Sequence, residues 1–166
     1  MVSTRHKFHL PEQQSGAALV VSLIFLVLLM MLGIASMQAT TMSERMAGNA
    51  RDRNLAFQAG EAGLRDGAQF LIGKDFYAFN SSCTGALCTQ GSGPNWRTYA
   101  WGGAKDVLAT TGIVGLAEQP RYFSEYAGQI KCPECGGGWR SAYRLTVRAK
   151  GANTNTVVFL EQVQRP

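Results

Sequence analysis

Histidine is nearly absent. The chain of 166 residues has only His6 and His9. Once past the first ten positions no imidazole remains to serve as a general base, so the chain is poorly equipped for enzyme chemistry that relies on histidine. His6 and His9 have a spacing that could share a metal on a helix, but Pro11 disfavours a helix there, so they read as polar residues of a basic leader. Proline is missing from Glu12 to Gly93, so no ring interrupts a helix across that span. Charge is missing from Gly16 to Ala35. Nor is one sign of charge concentrated. The 16 Lys and Arg stand against 11 Asp and Glu and are scattered, apart from Arg140, Arg144, Arg148 and Lys150. A nucleic-acid interface would show a denser basic patch, so no nucleic-acid partner is expected.

What the chain does have is GAALVVSLIFLVLLMMLGIA, from Gly16 to Ala35, with Ser22 its only polar side chain. As a helix this stretch rises about 30 Å, the thickness of a bilayer hydrocarbon core. It reads as a membrane span. Arg5 and Lys7 precede it against a single acid, Glu12, a bias that keeps the N-terminal flank in the cytoplasm. A cleaved secretory signal could use Gly33 and Ala35 as its small residues, but the apolar core is too long for that class.

The helical signal continues beyond the span. Glu44, Arg45, Arg51, Asp52, Arg53, Glu61, Arg65 and Asp66 alternate with an apolar stripe of Phe57, Leu64, Ala68 and Leu71. The spacing predicts one helix from Gly16 to Ile72, apolar all round in its first half and amphipathic in its second. Gly48, Gly60, Gly63 and Gly67 each cost about 1 kcal/mol in a helix relative to Ala. With Ala56, Ala59 and Ala62 they mark a face against which another element packs closely.

After Gly73 the chain is rich in Gly, Asn, Ser and Pro and reads as loop. The four cysteines form two close pairs, Cys83 with Cys88 and Cys132 with Cys135. Behind a membrane segment they predict disulfides in an oxidising compartment, with the connectivity open. Arg97 to Trp101 is a candidate for the start of a strand, and Gln119 to Tyr126 alternates as a strand entered through Pro120. IKCPECGGGW reads as a turn. Tyr143, Leu145, Val147 and Ala149 then alternate with Arg144, Thr146, Arg148 and Lys150, one face buried and the basic one in water. Gly151 to Asn155 turns the chain into a returning strand from Thr156 to Val163. The fold class is α+β: a long N-terminal helix on a small antiparallel sheet, with a loop-rich, cysteine-containing middle. The expected divisions are a leader over 1–16, an assembly half of the helix over 17–40, its amphipathic half over 41–72, and a globular domain over 73–166.

This arrangement resembles a type IV pilin. QQSGAALVVSLIFL is similar to a prepilin peptidase site, with Gly16 the last leader residue and Ala17 the new N-terminus. ERMAGNARDRNLAFQAGEAGLRD and YRLTVRAKGANTNTVVFLEQVQR resemble PilX-type minor pilins. The chain departs from the pilin pattern at Ser15, where a basic residue is usual, and at Val21, where most pilins carry Glu. In the family that carboxylate pairs with the N-terminal amine of a neighbouring subunit, and Val21 cannot neutralise it. The resemblance implies a structural, non-enzymatic subunit cleaved after Gly16, N-methylated on Ala17, and without a cofactor. It implies an inner-membrane prepilin with its C-terminal domain in the periplasm, later a pilus subunit at or near the tip. Its partners would be prepilin peptidase, other minor pilins, the major pilin and a tip adhesin.

Three other readings compete. A K-type pseudopilin of type II secretion also lacks the carboxylate, but its larger, helix-rich domain needs more chain. Cys132-Pro-Glu-Cys135 could be a redox motif, although no βαβ pattern surrounds it. The two cysteine pairs could instead form a zinc knuckle.

Overall fold

The computed structural model describes residues 15–165. Helix α1 runs from Ser15 to Leu71, 57 residues without a break. It ends at Gly73, whose φ of +74° is the left-handed conformation that glycine adopts without a Cβ penalty. The chain divides into two units, with the boundary between Ala47 and Gly48.

In the first unit every helical residue from Gly16 onward is exposed. The second unit carries the core. Its helical face is made of Ala56, Ala59, Gly60, Gly63, Leu64, Gly67 and Leu71, all buried. The expected stripe is right at Leu64 and Leu71 but not at Phe57, which is 48% exposed. The small residues are the contact surface instead. A Cβ on Gly60 would lie 2.7 Å from Leu160 Cδ1, on Gly63 2.9 Å from Val147 Cγ1, and on Gly67 2.7 Å from Leu145 Cδ2. The sheet thus seats its large side chains where the helix has none. Gly48 takes no part in this packing, with nothing within 4 Å.

The sheet has five strands: β1 (Leu87–Cys88), β2 (Val107–Leu108), β3 (Arg121–Cys132), β4 (Gly138–Lys150) and β5 (Val157–Gln164). The last three form an antiparallel meander, Val147 pairing with Tyr122 on one side and Leu160 on the other. The sheet is not wholly antiparallel as expected. β1 joins the outer edge of β3 in parallel, and β2 joins the same edge antiparallel. Two-residue strands need only local hydrogen bonds, so a loop crossing the edge can pair in either direction.

The middle region forms a third layer. Trp96 lies 4.8 Å from the Phe159 ring, and Trp101 lies 5.6 Å from that of Phe123. These aromatics cover the sheet face opposite the helix. Arg97 to Trp101 is therefore not a strand: Asn95 turns the chain, its carbonyl accepting the Thr98 and Tyr99 amides at 3.0 and 2.9 Å. The basic stripe is not a simple solvated face either. Arg148 and Lys150 are largely covered and reach Glu118 at 3.4 and 2.6 Å. Thr146 is buried, and only Arg144 keeps about half its side chain in water. IKCPECGGGW is strand at both ends, since β3 runs on to Cys132 and β4 begins at Gly138.

One buried carboxylate organises this layer. Asp106 accepts hydrogen bonds from Tyr99 Oη at 2.7 Å and from the Gly102 and Gly103 amides at 3.1 and 2.9 Å, and pairs with Arg121. Burial first, and then the bond to Asp106, raise the Tyr99 pKa. On the helix side, burial raises the Tyr122 pKa well beyond the ordinary range, and the Asp66 charge adds to the effect.

Candidate assembly surface

From Gly16 to Ser43 the helix carries no charge. Leucine, isoleucine, valine, methionine and phenylalanine point outward all round it, with Leu19 67%, Phe25 61% and Leu32 65% exposed. Such an apolar surface cannot stay in water. Its few hydroxyls are compatible with lipid because the helix satisfies them. Ser22 donates to the Leu19 carbonyl at 2.8 Å, Ser36 to Leu32 at 3.0 Å, and Thr40 to Ser36 at 3.1 Å. With backbone and hydroxyls paired inside one segment, the helix is able to cross a bilayer or to pack against other apolar helices.

Gly16 and Ala17 sit in the first turn of α1, and Val21 is 51% exposed one turn further on. Ala17, Ala18, Val21, Ser22 and Phe25 occupy one side of the helix at three- and four-residue spacing. Residues 1–14 of the leader, with His6 and His9, lie outside the described residues.

Cys83 and Cys88 are joined in a disulfide with Cα atoms 4.2 Å apart, and both are fully buried. The bridge pins the loop carrying β1 beneath Phe123 and Trp101. It consumes two of the four sulfurs that a zinc knuckle needs. Cys132 is also disulfide-bonded, and the Cys135 side chain lies outside the described structure. Around these cysteines the chain after α1 is sheet and loop with short 3-10 turns, with no βαβ unit among the described residues.

Two structural residues escaped the sequence reading. Asp106 carries no pattern in the sequence, since its partners, Tyr99, Arg121 and the Gly102 and Gly103 amides, are brought together only by the folded turn. Trp139 was hidden by the GGG before it, although it extends the alternation of Tyr143, Leu145 and Val147 towards the N-terminus.

Family models match both halves of this architecture. A PilX N-terminal model covers residues 15–65, and a model of the C-terminal part of the type IV pilus assembly protein PilX covers residues 46–166. Neither a curated protein nor a solved structure gives a match. With a charge-free, outward-facing apolar helix joined to a helix-backed sheet, and the two models together spanning the chain from residue 15 onward, the protein belongs to the PilX family of type IV pilus assembly proteins, the minor pilins.

Proposed function

We propose that the chain is a minor pilin that primes pilus assembly, at or near the tip, together with other minor pilins, the major pilin and a tip adhesin. Before assembly α1 anchors it in the inner membrane with the C-terminal domain in the periplasm. Prepilin peptidase cuts between Gly16 and Ala17, and Ala17 is N-methylated. On assembly the apolar helices leave lipid and bundle, so lipid-facing surface becomes surface between subunits. The observation that carries this reading is the charge-free helix from Gly16 to Ser43, exposed at every position, in a family-matched pilin chain.

Val21 favours a special position. A subunit without a carboxylate there leaves its neighbour's amine unpaired, which is costly in a dry bundle and tolerable where no neighbour needs it. The K-type pseudopilin reading is the weaker one, because residues 72–165 contain no helix longer than one 3-10 turn. Mass spectrometry of the mature N-terminus tests the proposal. With prepilin peptidase present, the chain should begin at Ala17, and Gly16→Ala should block the shortening. A Gly16→Ala chain that is still trimmed to Ala17 would defeat it.

A further inference from the structure

Beyond Tyr126 and Ala142 the β3–β4 hairpin loses its cover. Tyr143 stands over the end of α1, its hydroxyl reaching the Lys74 carbonyl at 3.4 Å. Past it the ribbon of Gln129–Lys131 and Gly138–Arg140 is exposed on both faces. A two-stranded ribbon is marginal in water by itself, yet this one is held. A register shift at Tyr126/Gly128 twists it, Cys132 is disulfide-bonded, and Gly136 and Gly137 make the turn with φ of +74° and +83°.

The ribbon displays Trp139, 65% exposed, and Ile130, 39% exposed. Lys131 faces Trp139 across the strands, and Arg140 faces Ile130. Arg140, Lys131 and Arg165 line a cleft at the tip with one acid, Glu134. An exposed tryptophan with Lys131 across from it and Arg140 on the reverse face, raised on a stiff support, has the aromatic-plus-cation composition of an interface hot spot.

We propose that this hairpin tip is a docking finger for a different protein, whose surface offers an apolar recess for Trp139 rimmed by carboxylates. The inference rests on the pilus-assembly reading only in expecting that partner within the same assembly. Charge selects the partner. A second copy is a poor one: the chain carries a net charge of +5, and Asp52, Asp106, Glu118 and Glu125 are occupied by its own donors. A membrane is a poor one too. Period-two alternation puts Trp139 with Lys131 on one face and Ile130 with Arg140 on the other, so neither face is purely apolar.

The test places a photo-crosslinking p-benzoylphenylalanine at position 139 of the full chain, in its native bacterium deleted for the chromosomal copy. We expect one dominant adduct to a different protein, mapped to a peptide rich in Asp and Glu, and lowered at least tenfold by Lys131→Glu with Arg140→Glu. The same probe at Val114, an exposed loop residue, should not give that adduct, and at Phe25 it confirms that the chemistry works. Adducts only to a second copy, only to lipid, or to nothing would overturn the proposal, as would an adduct indifferent to charge reversal. Unchanged melting of the charge-reversed chain excludes misfolding. Pilus counts in the same strains separate the two readings. Failure of the wild-type chain to restore pili counts against the pilus function, whereas restored pili without the adduct count against the finger.

Discussion

Gly63 of α1 and Val147 of β4 meet with no room for a methyl group between them. A Cβ on the glycine would lie 2.9 Å from Val147 Cγ1 and 3.0 Å from Pro120 Cβ. Both neighbours are stiff, one β-branched and one a ring, so neither can swing aside. Alanine normally gains about 1 kcal/mol over glycine in a helix, but overpacking costs about 1–3 kcal/mol. Gly63→Ala should therefore destabilise the chain, whereas Gly48→Ala, in open space, should stabilise it slightly. Thermal unfolding of the full chain in detergent checks both signs.

Asp106 holds the outer layer from within. Asp106→Ala would leave Arg121 without its partner and the Tyr99, Gly102 and Gly103 donors unsatisfied. Removing one member of a buried pair costs about 3–5 kcal/mol. Because Trp101 sits in that loop, its fluorescence should shift to the red, and protease should cut between residues 97 and 106 before the sheet unfolds.

Asp52 clamps the β4–β5 turn to the helix, accepting the Ala152 amide at 2.6 Å and the Asn153 amide at 3.3 Å. The hydrogen bond from the Thr156 side chain, and then these amides, hold its pKa below the usual 3.8. A depressed carboxylate stabilises the fold above its unfolded pKa and loses that effect as pH falls through the folded value. The wild type should thus lose this contribution below pH 3.8, and Asp52→Ala should already lack it at neutral pH. Melting temperature against pH for the two chains should converge in acid.

The Cys83–Cys88 bridge closes a very short loop. Its removal by Cys83→Ser with Cys88→Ser should cost about 2 kcal/mol and loosen β1 from β3 while leaving the β3–β5 meander paired. Amide exchange at Leu87 and Cys88, compared with Val147, reads this directly.

Val21 is the position at which the assembly reading is most exposed to test. Val21→Glu gives the subunit a carboxylate able to pair with a neighbouring amine, so pilus number or length should change. Electron microscopy of pili that are the same in both would remove Val21 as a determinant of placement.

Gly16 to Leu71 was legible as a helix in the sequence because its determinants are local: no proline, an unbroken apolar run, then residues in phase with the helical turn. The alternation from Tyr143 to Lys150 was legible for the same reason, since period two is written along the strand. The glycine face was visible as a surface for close packing, but not which side chains would fill it. Tertiary structure alone decided that Leu145, Val147 and Leu160 do so, that Cys83 pairs with Cys88, and that Trp96 and Trp101 lie on Phe159 and Phe123 of the sheet face opposite the helix. Those contacts join residues far apart in the chain, where loop closure carries no periodic signal. Only with the helix stopping at Leu71 and the hairpin running on did Trp139 become a side chain presented to a partner.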